Sequence, residues 1–404
     1  MKLLHLANHH STNVGNGALI HGTERVLTED LGDQVTFVPE AWDDYTLRGL
    51  RRFDGEFVDL VNRSDALLVG GAVTFNGRAQ FANAGMRIDL PVELWAKIDR
   101  PVVFYGVSYR VWPGQPYHHR ERLRQTIAYL AEHPRVFFGV RNDGTKAWLE
   151  ALIGYSSDGI VAVPDPGLYV SADDHPRAEI DRSRINLVLS LNDEDDVYRF
   201  GGRLREAVWT GVGEFVDDRT LGRAWRRLPG WQNRRRAFLR KLAVALERLV
   251  RRWDMNVILT PHYVDDYRMM ADFVAVCPPW LAHQAMISSG LAKVPQTAYF
   301  YALYAQADVA ISMRVHSMSP AIGLGTPCVA LVSQARMRGF LADAGLLDFG
   351  VDVFDADLVE KLEALVARCL GDREGVRDRQ RRTRQRMRER TAAYNHRIAS
   401  LLRN

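Results

Sequence analysis

The stretch ADVAISMRVHSMSPAIGLGTPCVALV, residues 307–332, decides the fold of this chain. An apolar run at residues 309–312 is followed by a polar turn containing Arg314 and His316, a short helical pattern, and a second apolar run at residues 328–332. Two short apolar runs joined by a helical segment are typical of neighbouring parallel strands with a crossover helix. The stretch therefore predicts an α/β fold.

Short apolar runs alternate with helical patterns on the N-terminal side of this stretch as well. Continuous apolar runs of four to seven residues are typical of parallel strands that are buried on both faces. The runs lie at residues 3–7, 35–38, 66–69, 102–105, 136–140, 186–191 and 256–260. We predict two doubly wound, Rossmann-like domains that face each other across a cleft, where ligands of such sheets bind.

The pattern breaks once, at the sequence VPDPG, and a polar stretch without apolar periodicity follows. We therefore predict an N-terminal domain over residues 1–165, a linker over residues 166–185, and a C-terminal domain over residues 186–375. Residues 376–404 form a predicted basic C-terminal helix.

Composition excludes several classes of protein. The 404 residues are 47% hydrophobic and 25% charged, and 53 basic residues against 49 acidic ones give a net charge of +4. This surplus is too small to indicate a nucleic-acid partner. The cysteines at positions 277, 328 and 369 show no metal spacing, and no apolar run reaches membrane-spanning length. We expect a cytoplasmic protein with no metal and no disulfide framework.

Two segments are rich in arginine. Residues 234–253 combine an apolar stripe with a basic face, which predicts a helix packed on the sheet with its charges in solvent. The alternative is a basic face that rests on an anionic membrane, next to Trp225 and Trp231. Residues 373–390 carry nine arginines, for which we expect a solvated terminal helix. Ala392, Tyr394, Ile398 and Leu401 predict that packing resumes after it.

The strongest chemical signal follows the strand at residues 309–312. Arg314 can grip a carboxylate or phosphate with two hydrogen bonds, and Ser317 is placed to cap the next helix, whose free N–H groups attract anions. His316 beside a bound anion would be held protonated and could act as a general acid.

Other candidate residues follow other strands. The glycine-containing loop with Asn13, Asn16 and Gly17 lets the backbone approach a ligand, although it lacks the dinucleotide and ATP motifs. Arg141 could be a second clamp on an anion. His262 follows a further strand, and we expect the two aspartates at positions 265 and 266 to cap the helix after it.

In these segments the chain resembles the polysaccharide pyruvyl transferases, which add pyruvate ketals to sugars using phosphoenolpyruvate. The resemblance rests on the loop at residues 13–20, the DALLVGG sequence ending at Gly71, the segments around Arg141 and His262, and above all residues 307–317 with the later Gly-x-Pro. It implies a glycosyltransferase-B-like fold, with the anionic donor on the C-terminal domain and the sugar acceptor on the N-terminal one. Members often have a lysine where this chain has Arg336, an Arg-Asp pair where it has Arg141-Asn142, and a third glycine where it has Ala72.

If the chain catalyses this reaction, a general acid must protonate the donor, and we predict that His316 is that acid. We predict that Arg314 and Arg141 hold the carboxylate and phosphate of the donor, and that Arg336 supports the leaving phosphate. The other predicted substrate-binding residues are Ser317, Asn13, Asn16, Gly17, Gly71 and His262. The resemblance implies phosphoenolpyruvate as a co-substrate, and no cofactor is expected. Either Asp143 or His262 could deprotonate the acceptor hydroxyls. Because family members often use lipid-linked sugars, peripheral contact with the inner membrane face is a further prediction.

Two alternative functions stay open at this point. A nucleotide-sugar glycosyltransferase could use the same two-domain fold, but the segment SQARMR after residue 332 is basic, where an acidic ribose-binding residue is usual. The other alternative is a degenerate member of the family that binds a sugar or anion without catalysis.

Overall fold

The computed structural model describes residues 1–32, 34–213, 216, 218–287 and 294–403. Two parallel sheets, one in each half of the chain, form its two α/β domains. The first sheet has the strand order β2-β1-β3-β5-β6-β7, and β4 pairs with β5. Its strands are β1 Lys2–Ala7, β2 Thr36–Ala41, β3 Ala66–Val69, β4 Val73–Phe75, β5 Val102–Tyr109, β6 Val136–Arg141 and β7 Ile160–Val163.

Helices cover both faces of the first sheet, and this explains why its central strands β3 and β5 are mostly apolar, whereas β2 at the edge is partly exposed. All four residues of β3 are buried, and so are seven of the eight in β5. The helices are α1 Val14–Leu31, α2 Trp42–Thr46, α3 Gly55–Asn62, α4 Val92–Trp95, α5 Arg120–Glu132 and α6 Thr145–Ile153.

The second sheet has the order β10-β9-β8-β11-β12-β13. Its strands are β8 Ile185–Ser190, β9 Met255–Leu259, β10 Ala285–Ile287, β11 Val309–Ser312, β12 Cys328–Val332 and β13 Gly350–Asp352. Its helices are α7 Asp196–Phe200, α8 Gly202–Val212, α9 Asp218–Arg226, α10 Pro229–Trp253, α11 Asp266–Val276, α12 Pro279–Gln284, α13 Thr297–Gln306, α14 Val315–Leu324, α15 Ala335–Ala344 and α16 Leu358–Gly371. The strand-helix-strand prediction for residues 307–332 corresponds to β11, α14 and β12.

The predicted linker begins with a tightly packed turn. Pro166–Tyr169 form a buried 3-10 helix against α1 and α14. A Cβ at Gly22 of α1 would lie 2.0 Å from the Pro166 carbonyl oxygen, and one at Gly323 of α14 would lie 2.1 Å from the Leu168 carbonyl oxygen. Glycine at both positions lets this turn hold the two domains together.

The last helix, α17 Arg373–Arg403, contacts both domains. It leaves the second domain and returns to the first, where the Tyr394 hydroxyl donates to the Phe104 carbonyl at 2.8 Å and the Tyr105 hydroxyl donates to Asn395 at 2.8 Å. Tyr394, Asn395 and Ile398 are buried. The packing that the sequence predicts at Tyr394 and Ile398 is therefore observed, and α17 joins the two domains. The predicted end, Asn404, lies outside the described residues.

The other arginine-rich segment, α10, packs its apolar stripe as predicted. Phe238, Leu242 and Leu249 are buried, and so are Trp225 and Trp231. Several of its basic groups bind acidic partners, for example Arg248 with Glu363 at 3.0 Å. Within the described residues, no helix is long and apolar enough to cross a membrane.

Candidate functional site

A cavity lies between the two domains, where the carboxyl ends of both sheets meet. Loops that follow β1, β2, β5, β8, β9, β11 and β12 contribute its polar wall. Among the residues that line the wall are Asn8, Ser11, Asn13, Asn16, Asp43, Arg87 and Arg110 from the first domain, and Asn192, Glu194, Tyr263, Arg314, His316, Gln334 and Arg336 from the second. The structure thus brings together five of the residues predicted from the sequence.

Arg314 is held by carboxylates. Its Nε donates to Asp266 Oδ2 at 3.1 Å, its Nη2 donates to Asp266 Oδ1, and its Nη1 contacts Glu194 at 3.3 Å. Burial lowers the pKa of Arg314, but the two carboxylates outweigh it and raise the pKa above its ordinary value. The guanidinium that we expected to hold a substrate anion is therefore already neutralised in this structure.

His316 lines the cavity and faces Asp165. Its Nε2 lies 3.3 Å from Asp165 Oδ2, and its side chain is 20% exposed. The ring packs against the first turn of α1, where a Cβ on Gly15 would come within 2.7 Å of the His316 Cβ. Asp165 and Gly15 both belong to the first domain, so the orientation of this ring depends on both domains.

The pKa of His316 lies below its ordinary value of 6.5. Burial is the largest cause, and the cations of Arg141 and Arg336 lower the pKa further, while Asp165 raises it. The ring is therefore neutral at pH 7 in the absence of a ligand. An anion bound beside it would oppose these cations and favour the protonated form.

Arg141 lies behind His316 and does not line the cavity. It is fully buried, with Nε 3.1 Å from Asp165 Oδ2 and Nη2 donating to the Gly106 carbonyl at 3.1 Å. Burial raises the pKa of Asp165, but Arg141, His316 and Ser319 outweigh it and hold the pKa below its ordinary value. The predicted anion clamp is thus placed as the partner of Asp165.

Positive charge without a carboxylate partner lies on Arg336 and Arg87. Arg336 donates to Gln334 at 2.8 Å, and Arg87 donates to the Val73 carbonyl at 3.2 Å. Among the described residues neither forms an ion pair, and burial lowers the pKa of each to about 10. Both guanidiniums keep their charge at pH 7 and line the same cavity.

The loop at the start of α1 is placed partly as expected. Asn13 caps α1 by accepting from the Gly15 N–H at 3.0 Å, and Asn16 donates to Ser11 at 2.9 Å, and both line the cavity. Gly17 instead packs against α13, where a Cβ would lie 1.9 Å from Thr297 Oγ1. The absence of a side chain at Gly17 therefore allows α1 and α13 to pack closely across the two domains.

Three other predicted residues lie outside the cavity wall. Ser317 is buried inside α14 and donates to the Arg314 carbonyl, so Arg314 is the N-cap residue and the predicted capping by Ser317 is wrong. Gly71 packs close to the Gly106 carbonyl. His262 is buried, its Nε2 lies 2.7 Å from the Tyr304 hydroxyl, and burial holds its pKa well below the ordinary value.

The aspartates before α11 also differ from expectation. Asp265 makes no capping hydrogen bond, whereas Asp266 accepts from the N–H groups of His262 and Tyr263 as well as from Arg314. Asp266 thus fixes both the loop and the arginine. The sequence carries a capping signal there, but nothing in it indicates the arginine 48 residues later.

Asp43 and Arg87 are cavity residues that the sequence analysis missed. Asp43 directly follows β2 in the first turn of α2, a position that the rule about strand ends could have identified. Arg87 lies in a segment without regular pattern, so no local signal indicates it. In the part of the chain that the structure describes, no group of three or more His, Cys, Asp or Glu side chains is arranged to hold a metal.

Solved structures share this fold at low sequence identity. UDP-GlcNAc 2-epimerase from Neisseria meningitidis bound to UDP-GlcNAc has a TM-score of 0.52 at 10% identity, with 100% of each chain covered. The apo structure of OtsA has a TM-score of 0.52 at 10% identity and covers 100% of this chain and 99% of its own. UDP-GlcNAc 2-epimerase from Methanocaldococcus jannaschii has a TM-score of 0.50 at 11% identity, with 92% and 93% covered. The predicted glycosyltransferase-B-like fold is confirmed.

Sequence comparison identifies the family. None of the curated proteins compared with the chain matches it. The family description "Polysaccharide pyruvyl transferase" matches residues 13–334, which is most of the chain. The matched range includes most of the cavity wall but not Asn8, Ser11 or Arg336. The chain therefore belongs to the polysaccharide pyruvyl transferase family.

Proposed function

We propose that this transferase moves the enolpyruvyl group of phosphoenolpyruvate onto two hydroxyls of a sugar in a polysaccharide or lipid-linked precursor. The products are a pyruvate ketal and phosphate. Family membership supports a pyruvyl transferase with a sugar acceptor. One observation carries the choice of donor. The His316 ring, oriented by Asp165, shares a cavity with the guanidiniums of Arg336 and Arg87, which form no ion pair with any described residue.

The donor is a small, multiply charged anion, and the cavity suits it. Its phosphate and carboxylate are planar or tetrahedral oxyanions that guanidinium groups bind with paired hydrogen bonds. Arg336 and Arg87 are the two cavity arginines that form no ion pair with a carboxylate among the residues that the structure describes. In our proposal they hold the donor, and the Arg314–Asp266 pair fixes the wall beside it.

Donor binding also prepares the acid. Phosphate placed beside His316 offsets the positive field of Arg141 and Arg336 and raises the pKa of the ring. Protonated His316 then delivers a proton to the methylene carbon of the donor. The central carbon becomes electrophilic, one sugar hydroxyl adds to it, and a second hydroxyl displaces phosphate.

The acceptor fits the first-domain wall. Asn8, Ser11, Asn13 and Asn16 are uncharged hydrogen-bonding side chains at the end of β1. Neutral amides and hydroxyls complement sugar hydroxyls without competing for the anionic donor. We therefore assign this wall to the acceptor sugar.

A thermal-shift titration tests the donor. We expect phosphoenolpyruvate to raise the unfolding midpoint of the parent protein, because a ligand that binds only the folded state stabilises it by about 2.7 kcal/mol at a hundredfold excess over Kd. The Arg336→Met variant should bind at least about tenfold more weakly, since a hydrogen bond to a charged group contributes about 1.5–3 kcal/mol.

The matched control is Arg338→Met, two residues further along α15, whose guanidinium is paired with Asp352. It should respond like the parent. Stabilisation by UDP but not by phosphoenolpyruvate would instead favour a nucleotide-sugar glycosyltransferase. An equal response of the parent and Arg336→Met to phosphoenolpyruvate would contradict the assigned donor site.

Peripheral membrane contact is a separate part of the proposal. The exposed arginines of α10 and α17 form basic surfaces that anionic lipid would attract at low ionic strength. We expect the protein to sediment with vesicles of anionic phospholipid at low salt and to be released at high salt. No sedimentation with such vesicles at low salt would contradict it.

A further inference from the structure

The proposed reaction needs a group that takes a proton from the acceptor hydroxyl. The sequence offers Asp143 and His262, but the structure places neither at the cavity wall. Asp143 is 1% exposed, and its two oxygens accept from Ser108 Oγ at 2.6 Å and Thr145 Oγ1 at 2.5 Å. His262 is fully buried and bonded to the Tyr304 hydroxyl. Both groups are already occupied within the fold.

Asp43 is the carboxylate at the wall that has no such partner. It lines the cavity in the first turn after β2, and its residue is 7% exposed. Its Oδ2 is buried and makes no hydrogen bond, and among the described residues it forms no ion pair. The other cavity carboxylate, Glu194, is bonded to Arg110 and Arg314.

An unpartnered buried carboxylate is costly to a fold, because burial removes its hydration without supplying donors. Asp44, the next residue, shows the ordinary arrangement: it binds Arg48 at 2.9 Å near the surface. Asp43 thus bears a desolvation cost that no hydrogen bond to its Oδ2 offsets among the described residues, and the nearby cations of Arg87, His10 and Arg48 offset it only in part. A hydroxyl group of a bound substrate would supply the missing donor.

We propose that Asp43 is the catalytic base, and that the reacting hydroxyls of the sugar lie against the turn between β2 and α2, on the wall formed by the first domain. This inference rests on the proposed function, because it assigns a residue to that reaction. Asp43 and His316 then act on the substrates from different domains.

The proton transfers balance between the two side chains. As His316 protonates the methylene carbon, the first hydroxyl oxygen bonds to the central carbon and gives its proton to Asp43. In the second half, the bond from the central carbon to the phosphate oxygen breaks, and phosphate takes the proton from Asp43. The second hydroxyl oxygen bonds to the central carbon, and its proton restores His316.

The surroundings of Asp43 make its carboxylate more basic than usual. Burial is the main cause that raises the pKa of Asp43 above its ordinary value, while Arg87, His10 and Arg48 lower it and Asp44 raises it. A raised pKa makes a carboxylate a better proton acceptor.

The test compares Asp43→Asn with Asp44→Asn in the full-length protein. Phosphate release from phosphoenolpyruvate is measured with p-nitrophenyl β-galactoside, β-glucoside and α-mannoside as acceptors, and donor binding by thermal shift. We expect Asp43→Asn to lower kcat by about 10²–10⁴-fold, with donor affinity within threefold of the parent. Asp44→Asn should retain the parent kcat.

Two further readouts separate a base from a structural residue. The parent kcat should fall as the pH is lowered through the pKa of Asp43, and Asp43→Asn should lack this limb. Without ligand, the unfolding midpoint of Asp43→Asn should equal or exceed that of the parent, because the substitution removes a buried charge that lacks a hydrogen-bond partner. A lower midpoint would indicate a structural role for Asp43 and overturn the inference.

The outcomes for Asp43 and for the proposed function are distinguishable. Turnover by Asp43→Asn within threefold of the parent would overturn the assignment of the base and leave the reaction in place. Two outcomes would count against the proposed transfer and therefore against the base as well. One is that phosphoenolpyruvate does not stabilise the parent protein. The other is that phosphoenolpyruvate binds but no phosphate is released with any of the three glycosides as acceptor.

Discussion

His316→Gln should lower kcat for phosphate release by about 10²–10⁴-fold, the contribution expected of a positioned general acid. Glutamine can still hydrogen bond toward Asp165, which the His316 ring faces at 3.3 Å, but it cannot deliver a proton. Donor affinity should therefore change less than kcat. The comparison is made by steady-state kinetics together with a thermal-shift titration of phosphoenolpyruvate.

The pH dependence gives the sign of this effect. A general acid must be protonated, so the parent kcat should fall as the pH rises through the pKa of His316 in the donor complex. Burial holds that pKa below 6.5 without ligand, and the donor anion shifts it upward. The descending limb should disappear in His316→Gln.

His175→Gln is the matched control, because His175 is an exposed histidine that does not line the cavity. It should behave like the parent. Turnover by His316→Gln within tenfold of the parent would refute the general-acid assignment.

The sequence predicted the sheets well because their strands are continuous apolar runs. The runs at residues 66–69, 309–312 and 328–332 coincide with β3, β11 and β12. The strands β4, β10 and β13 have three residues each, which is too short for a period to be recognised. Each of these strands is defined by its pairing with a neighbouring strand, which is a tertiary contact that the local sequence does not show.

The candidate site was predicted less completely, for an electrostatic reason. The rule that ligands bind at the carboxyl ends of parallel strands correctly predicted that Arg314, His316 and Arg336 line one cavity. Which of their charges is neutralised, however, depends on carboxylates that are distant in sequence. Asp266 and Glu194 neutralise Arg314, while Asp165 occupies Arg141. Which arginine stays available for an anion is therefore decided by the fold. The sequence alone could not distinguish Arg336 from Arg314.

Asp165→Asn should lower the free energy of unfolding by about 3–5 kcal/mol, since removing one partner of a buried ion pair leaves the other charge uncompensated. Arg141 and Asp165 are both fully buried, and Asp165 also accepts from Ser319 Oγ at 2.9 Å and the Gly167 N–H at 2.8 Å. Urea denaturation followed by tryptophan fluorescence measures the loss.

The pKa of Asp165 sets the pH range of this loss. The folded-state pKa is depressed, so the ionised carboxylate stabilises the fold above the unfolded-state pKa of about 3.9. That stability is lost as the pH falls through the lower folded-state pKa. The difference between the parent and Asp165→Asn should therefore be full at pH 7 and shrink below about pH 4.

The double variant Asp165→Asn/Arg141→Met separates the charge from the packing. Removing both partners leaves no buried charge, so the double variant should be more stable than Asp165→Asn alone. Asp165 contacts Arg141 of the first domain and both His316 and Ser319 of α14 in the second domain. It therefore connects the two domains next to the proposed general acid, His316. A double variant no more stable than Asp165→Asn would show that these contacts across the domains, and not the buried charge of Arg141, account for the loss.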